Sequence, residues 1–161
     1  MLSQKTKYAL KALVSLARDR DGRTVVACTL ATRERIPRQF LELILLELKH
    51  HGLLRSRRGR GGGYSLNRPA QDISIGQVIR LLDGPLALVG CASQTAYVPC
   101  PECEDVQTCS IRAVFKDVRD ETARVLDGIS LADLSLRPHT LDILPSRTDR
   151  DHSLTSFRGQ Q

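Results

Sequence analysis

The stretch Leu53-Leu54-Arg55-Ser56-Arg57-Arg58-Gly59-Arg60-Gly61-Gly62-Gly63-Tyr64-Ser65-Leu66 decides the fold. Residues 53–57 and 63–66 have the composition of two short strands, and the arginine- and glycine-rich residues 58–62 that of the tip joining them. Glycines let such a tip approach a sugar-phosphate surface closely, and arginines neutralise phosphates or enter a narrow minor groove. A phosphate-cradling nucleotide loop is the competing reading, and context speaks against it, because such a loop opens a helix and this run lies between strands.

Outward from the hairpin, the chain is helical on both sides. Upstream, Ile36-Pro37 restarts the chain, and Phe40, Leu41, Ile44, Leu45 and Leu48 repeat at helical spacing until His50-His51-Gly52 supplies a left-handed cap. Before it, a short helix is expected over residues 29–35, and Thr24-Val25-Val26 has the β-branched character of a short strand. The first helix is read from Gln4 to Arg18, with Ala9, Leu10, Leu13, Leu16 and Ala17 on one face and Lys5, Lys7, Lys11 and Arg18 on the other. Downstream, Ser74 and Gln77 form the pattern of a capping box before Ile75, Val78, Ile79 and Leu82, and Asp83-Gly84 stops that helix. A long helix follows over residues 109–126, its apolar positions being Ile111, Val114, Phe115, Val118, Val125 and Leu126, and Ser130 to Leu134 reads as a capped single turn.

The expected fold class is mainly α with a small β hairpin: a winged helix-turn-helix plus a long dimerisation helix. Four segments are expected, a DNA-binding domain over 1–84, a cysteine-bearing sensor loop over 85–108, a dimerisation helix with its short turn over 109–136, and a disordered tail over 137–161.

Charge agrees with this reading. The 161-residue chain carries a formal net +6, and residues 1–68 hold 15 Lys and Arg against 5 Asp and Glu, whereas the remainder holds 9 against 13. A basic front and an acidic rear suit a polyanion bound on one side. No run approaches the roughly 18 apolar residues of a membrane span, and the N-terminus lacks the pattern of a secretory signal. The expected location is the cytoplasm, without membrane association.

In a recognition helix the first turns enter the major groove. Arg38, Gln39 and Glu42 occupy that start here; Gln39 can pair bidentately with adenine and Glu42 can accept from cytosine. With the wing residues Arg57, Arg58, Gly59, Arg60 and Gly61, these form the candidate double-stranded DNA interface.

Cys91, Cys100, Cys103 and Cys109 follow the pattern C-x8-C-x2-C-x5-C. In a cytosolic chain such a group points to metal or redox chemistry rather than a permanent disulfide framework. Thiolates ligate iron–sulfur clusters and tetrahedral zinc alike, and a redox-sensing thiol pair is a further reading. Cys28 stands apart and is expected to be a small core residue. No nucleotide fingerprint, substrate-site motif or catalytic dyad accompanies the thiols, and His50 and His51 read as helix-end residues, so the chain is not expected to be an enzyme.

Lys7-Tyr8-Ala9, Ile36-Pro37 with Phe40-Leu41-Glu42, Gly52-Leu53-Leu54 and the wing through Tyr64 resemble the Rrf2 family of transcriptional regulators, which includes iron–sulfur regulators of the IscR type. Residues 126–128 and 131–134 extend the likeness, which spans about residues 1–134. The resemblance implies a homodimer crossed by the long helix, binding a roughly palindromic promoter site, with repression the commoner outcome. It implies that Gln39, Phe40 and Glu42 face bases and that Arg58 lies at the minor groove, and it adds Lys7 and Tyr8 to the expected DNA-binding residues. It also implies a 2Fe-2S or 4Fe-4S cluster, with Cys91, Cys103 and Cys109 matching family ligands. The chain departs from the pattern at three places. Tyr97 replaces a cysteine while Cys100 lies nearby, Arg112 stands where histidine is expected, and Arg35 takes the place of a turn glycine. Signals that would act without a cluster, namely a small metabolite, thiol oxidation or a structural zinc, fit the same DNA-binding module.

Overall fold

The computed structural model describes residues 2–19, 23–103 and 105–137. The expected tail, beyond Arg137, lies outside them. Helix α1 spans Gln4–Arg18, α2 Ala27–Glu34 and α3 Arg38–His50; strands β1, Leu54–Arg57, and β2, Gly63–Leu66, form the hairpin; α4 spans Ile75–Asp83, α5 Ser110–Asp127 and α6 Leu131–Leu136. The observed class is thus the expected one, mainly helical with one two-stranded antiparallel sheet.

The helices begin and end where side chains replace missing backbone partners. The hydroxyl of Ser3 accepts from the Thr6 N–H to start α1, and that of Ser74 accepts from the Gln77 N–H to start α4. At the end of α3, Gly52 takes φ +71°, and the N–H groups of Gly52 and Leu53 return to the carbonyls of Lys49 (2.9 Å) and Leu48 (3.0 Å). That closure directs the chain from α3 straight into the hairpin.

The core is built from one face each of α1, α2, α3 and α4, with α6 joining it. Ala9, Leu13 and Leu16 of α1, Leu30 of α2, Leu41, Ile44, Leu45 and Leu48 of α3, and Val78, Ile79 and Leu82 of α4 are buried together. Leu131 of α6 is fully buried in the same cluster. The chain therefore leaves this core along α5 and returns to it, the Leu131 N–H bonding the Ile73 carbonyl at 2.9 Å. Arg80 of α4 grips Asp127 with two hydrogen bonds of 2.7 Å, which fixes the end of α5 on α4. This pairing holds the Asp127 carboxyl below its ordinary pKa.

Several local expectations change in detail. The β-branched residues at 24–26 form a single bridge rather than a strand: Val25 pairs with Tyr64 through hydrogen bonds of 2.8 and 2.9 Å, which ties the hairpin to the core. There is no Cβ at Gly63 to overlap the Val25 carbonyl, and only glycine permits that approach. Helix α2 starts two residues before the expected position, at Ala27. Cys28 is exposed, not buried. Helix α2 turns Leu30 and Ala31 inward, and Cys28, two residues before Leu30, points to the opposite side.

Candidate DNA interface and thiol site

Helix α3 is anchored by four buried aliphatic residues, which forces its opposite face into solvent. Arg38, Gln39 and Phe40 are exposed at its start, and Glu42 is half-buried. Arg38 Nε donates to Glu42 Oε1 at 2.8 Å, one turn along the helix, so the carboxylate is oriented while its other oxygen is left to accept. Phe40 does not face directly away from the core. Its ring stands edge-on to that of Tyr8, with centroids 5.8 Å apart and planes at 78°, which joins the start of α3 to α1 beside exposed Lys7. The structure thus groups Lys7, Tyr8, Arg38, Gln39, Phe40 and Glu42 at one end of the helix pair.

The turn between α2 and α3 depends on Arg35. It adopts φ 54° and ψ 47°, the left-handed conformation, and its N–H caps α2. The arginine thus takes up the left-handed geometry that glycine adopts without steric cost.

The hairpin projects Arg57, Arg58, Gly59, Arg60 and Gly61 into solvent. Its tip closes through a 2.8 Å bond from the Gly62 N–H to the Gly59 carbonyl, and the Thr24 hydroxyl donates to the Gly61 carbonyl at 2.7 Å. Behind it, Arg23, Arg55 and Arg57 line a cleft of about 650 Å³. Arg55 is held against the sheet by its 3.0 Å bond to the Ser65 hydroxyl.

The four thiols of the loop lie in one neighbourhood. Cys91 sits in a single helical turn over Gly90–Ala92, and Cys109 caps α5, its sulfur accepting from the Arg112 N–H. The thiol of Cys103 donates to the Asp105 carbonyl at 3.4 Å, and the sulfurs of Cys109, Cys100 and Cys91 act on it electrostatically. Partial burial, then these sulfurs, push its pKa up; at Cys100 the rise comes first from the hydrogen bond to Glu102, of 3.3 Å. The donor set fits an iron–sulfur cluster or zinc in kind. Among the described residues no three His, Cys, Asp or Glu side chains stand in ligating geometry.

Arg112 has another role than that of the family's histidine: its Nε donates to the Cys91 carbonyl at 2.9 Å. Arg119, the one buried residue of α5, donates to the Ala92 carbonyl. Two arginines of the long helix thus hold the two peptides that follow Cys91, on either side of Ala92. Sequence reasoning missed them, since their partners lie 21 and 27 residues away.

A helix-turn-helix whose second helix offers a polar first turn, followed by an arginine-rich two-stranded wing, defines a winged helix-turn-helix transcription regulator. The chain belongs to the Rrf2 family, described as iron-dependent transcriptional regulators, whose profile matches residues 2–136. An rrf2-like HTH-type regulator of Rhodobacter capsulatus is 44% identical over 137 residues, spanning 83% of this chain and 91% of its own length. Among solved structures, CymR (YrzC), the global cysteine regulator of B. subtilis, is similar with a TM-score of 0.69 at 28% identity, over 84% of this chain and 95% of that one. IscR of T. potens is similar with a TM-score of 0.66 at 28% identity, over 83% and 85%. The protein is accordingly a transcriptional regulator and not an enzyme. No helix of the described residues is long and apolar enough to cross a membrane.

Proposed function

We propose that this regulator binds a palindromic promoter site as a homodimer, acts as a repressor in the cytoplasm, and changes its DNA affinity with the state of an iron–sulfur cluster. The observation that carries the DNA reading is the polar first turn of α3 followed directly by the arginine-rich wing. In it Arg38, Gln39, Phe40 and Glu42 meet base edges in the major groove, and Lys7 and Tyr8 meet the flanking backbone. Arg57, Arg58 and Arg60, on a tip made slender by Gly59 and Gly61, reach the neighbouring minor groove.

The dimer reading rests on α5. Ile111 and Val114 are 65% and 60% exposed, and Val118 and Val125 continue the same stripe. An 18-residue helix with one buried residue has an apolar face that a second copy covers, and two recognition helices then read two half-sites.

Cys91, Cys103 and Cys109, with Cys100 as the fourth donor, would hold the cluster, supported by the proximity of their sulfurs and by the likeness to IscR. The cluster would supply a group whose charge and presence depend on iron and redox state. The chain's own part is mechanical: Arg112 and Arg119 tie the peptide around Cys91 to α5, so a rearranged loop moves the dimer helix and with it the spacing of the two α3 helices. Only a difference in DNA affinity between the two states makes this a switch.

The experiment is anaerobic reconstitution followed by visible absorption and assays for iron and acid-labile sulfide. Wild type and Cys28→Ala retain both, and alanine at Cys91, Cys103 or Cys109 loses them. Stoichiometric zinc without sulfide in protein isolated without oxygen refutes the cluster. The nearness of the Cys103 and Cys109 thiols favours one second reading, in which these two thiols give up two protons and two electrons to an oxidant and form a disulfide; loss of two free thiols on oxidation, with no iron bound, identifies it.

A further inference from the structure

The face of α3 turned most directly from the core is not all polar. Leu43, one turn beyond Gln39, is 65% exposed, and Leu46, a further turn on, is 43% exposed. At 100° per residue these side chains lie opposite Leu41, Leu45 and Leu48, so no internal packing accounts for them. Large apolar side chains displayed together on a functional face mark contact with an apolar partner.

Resting on the reading of α3 as the DNA reader, we propose that Leu43 reads the C5-methyl group of a thymine in the major groove. Thymine is the one base that presents an apolar group there. Leu43 shares its side of the helix with Gln39 and lies about 7 Å along the axis from the helix start, within the turns that enter the groove. Its surroundings match a DNA partner rather than a protein one: Gln39 stands one turn before it on the same face, and the first 68 residues carry 15 basic against 5 acidic side chains. Leu46 lies farther along the helix, toward the mouth of the groove, and serves as the internal comparison. Gln39 and Leu43, adjacent on one face, together then prefer an A·T-containing step, with Gln39 on adenine and Leu43 on the methyl.

The test uses duplexes selected by the wild-type protein from a random-sequence library, with each thymine replaced in turn by deoxyuridine, which pairs identically but lacks the methyl. At one thymine per half-site the wild-type affinity falls by about fourfold, the worth of one buried methyl. Leu43→Ala, an exposed position whose loss leaves the core intact, binds both duplexes equally, and Leu46→Ala keeps the discrimination. Indifference of the wild type to every replacement, or discrimination that survives in Leu43→Ala, overturns the proposal while leaving α3 as the reader. If the wild type selects no sequence at all, the reading of α3 falls and the proposal falls with it.

Discussion

Replacing Arg35 by glycine is expected to stabilise the protein. The residue sits at φ 54° and ψ 47°, where a side chain other than glycine costs about 1–2 kcal/mol through its Cβ. Glycine removes that cost, and about 0.5–1 kcal/mol is given back because its unfolded chain has more freedom to lose. The net gain is about 0.5–1 kcal/mol. The Arg35 side chain is exposed, and its backbone cap to the Ala31 and Thr32 carbonyls is preserved in glycine, so no other term of this size competes. In a chain of this length the gain raises Tm by about 1–4 °C. Thermal melts at matched protein concentration, required because dimerisation shifts the midpoint, measure it. Arg35→Ala is the control: it removes the charge and keeps the strain, and leaves Tm nearly unchanged. An unchanged or lower Tm for Arg35→Gly, or a rise of equal size for Arg35→Ala, refutes the argument from backbone strain.

Arg58→Ala weakens binding to all DNA sequences and flattens its salt dependence, whereas Gln39→Ala loses about 1–3 kcal/mol of discrimination at one base pair; titrations on specific and random duplexes separate the two signatures. Val118→Asp places a charge in the exposed stripe of α5, and sedimentation at micromolar concentration finds a folded monomer with lowered affinity for a two-half-site duplex. Gly76→Ala places a methyl against Asp127, whose carboxylate is fixed by both Arg80 nitrogens and cannot move aside without breaking that pair; chemical denaturation measures a loss of about 1–3 kcal/mol.

Elements set by local chemistry were legible in the sequence. Helices α1 and α3 follow from their apolar period, α4 from the serine that caps it, and the wing from glycines and arginines between short strands. Features set by distant partners were not. The residues at 24–26 carry β-branched side chains, but only the position of Tyr64 limits them to one bridge. Arg35 looked like a departure from a glycine turn, and nothing local revealed that it would take up the left-handed geometry. The burial of Cys28 was misread because thiols are commonly buried, while the helical phase relative to Leu30 turns this one outward. Leu43 and Leu46 were within reach: counting 100° per residue from the core leucines of α3 places both on the outward face. The grip of Arg112 and Arg119 on residues 91 and 92 was beyond local reasoning, since it depends on how the long loop folds back on α5.

The central claim is that the thiol site controls DNA binding, and it is tested most directly by the affinity of one preparation for one selected palindromic duplex, measured anaerobically with the cluster loaded and again after its removal. The two dissociation constants are expected to differ by about 5- to 150-fold, the range of a typical coupling between sites, and the difference to vanish in Cys103→Ala. Equal affinity of the loaded and cluster-free protein contradicts the claim.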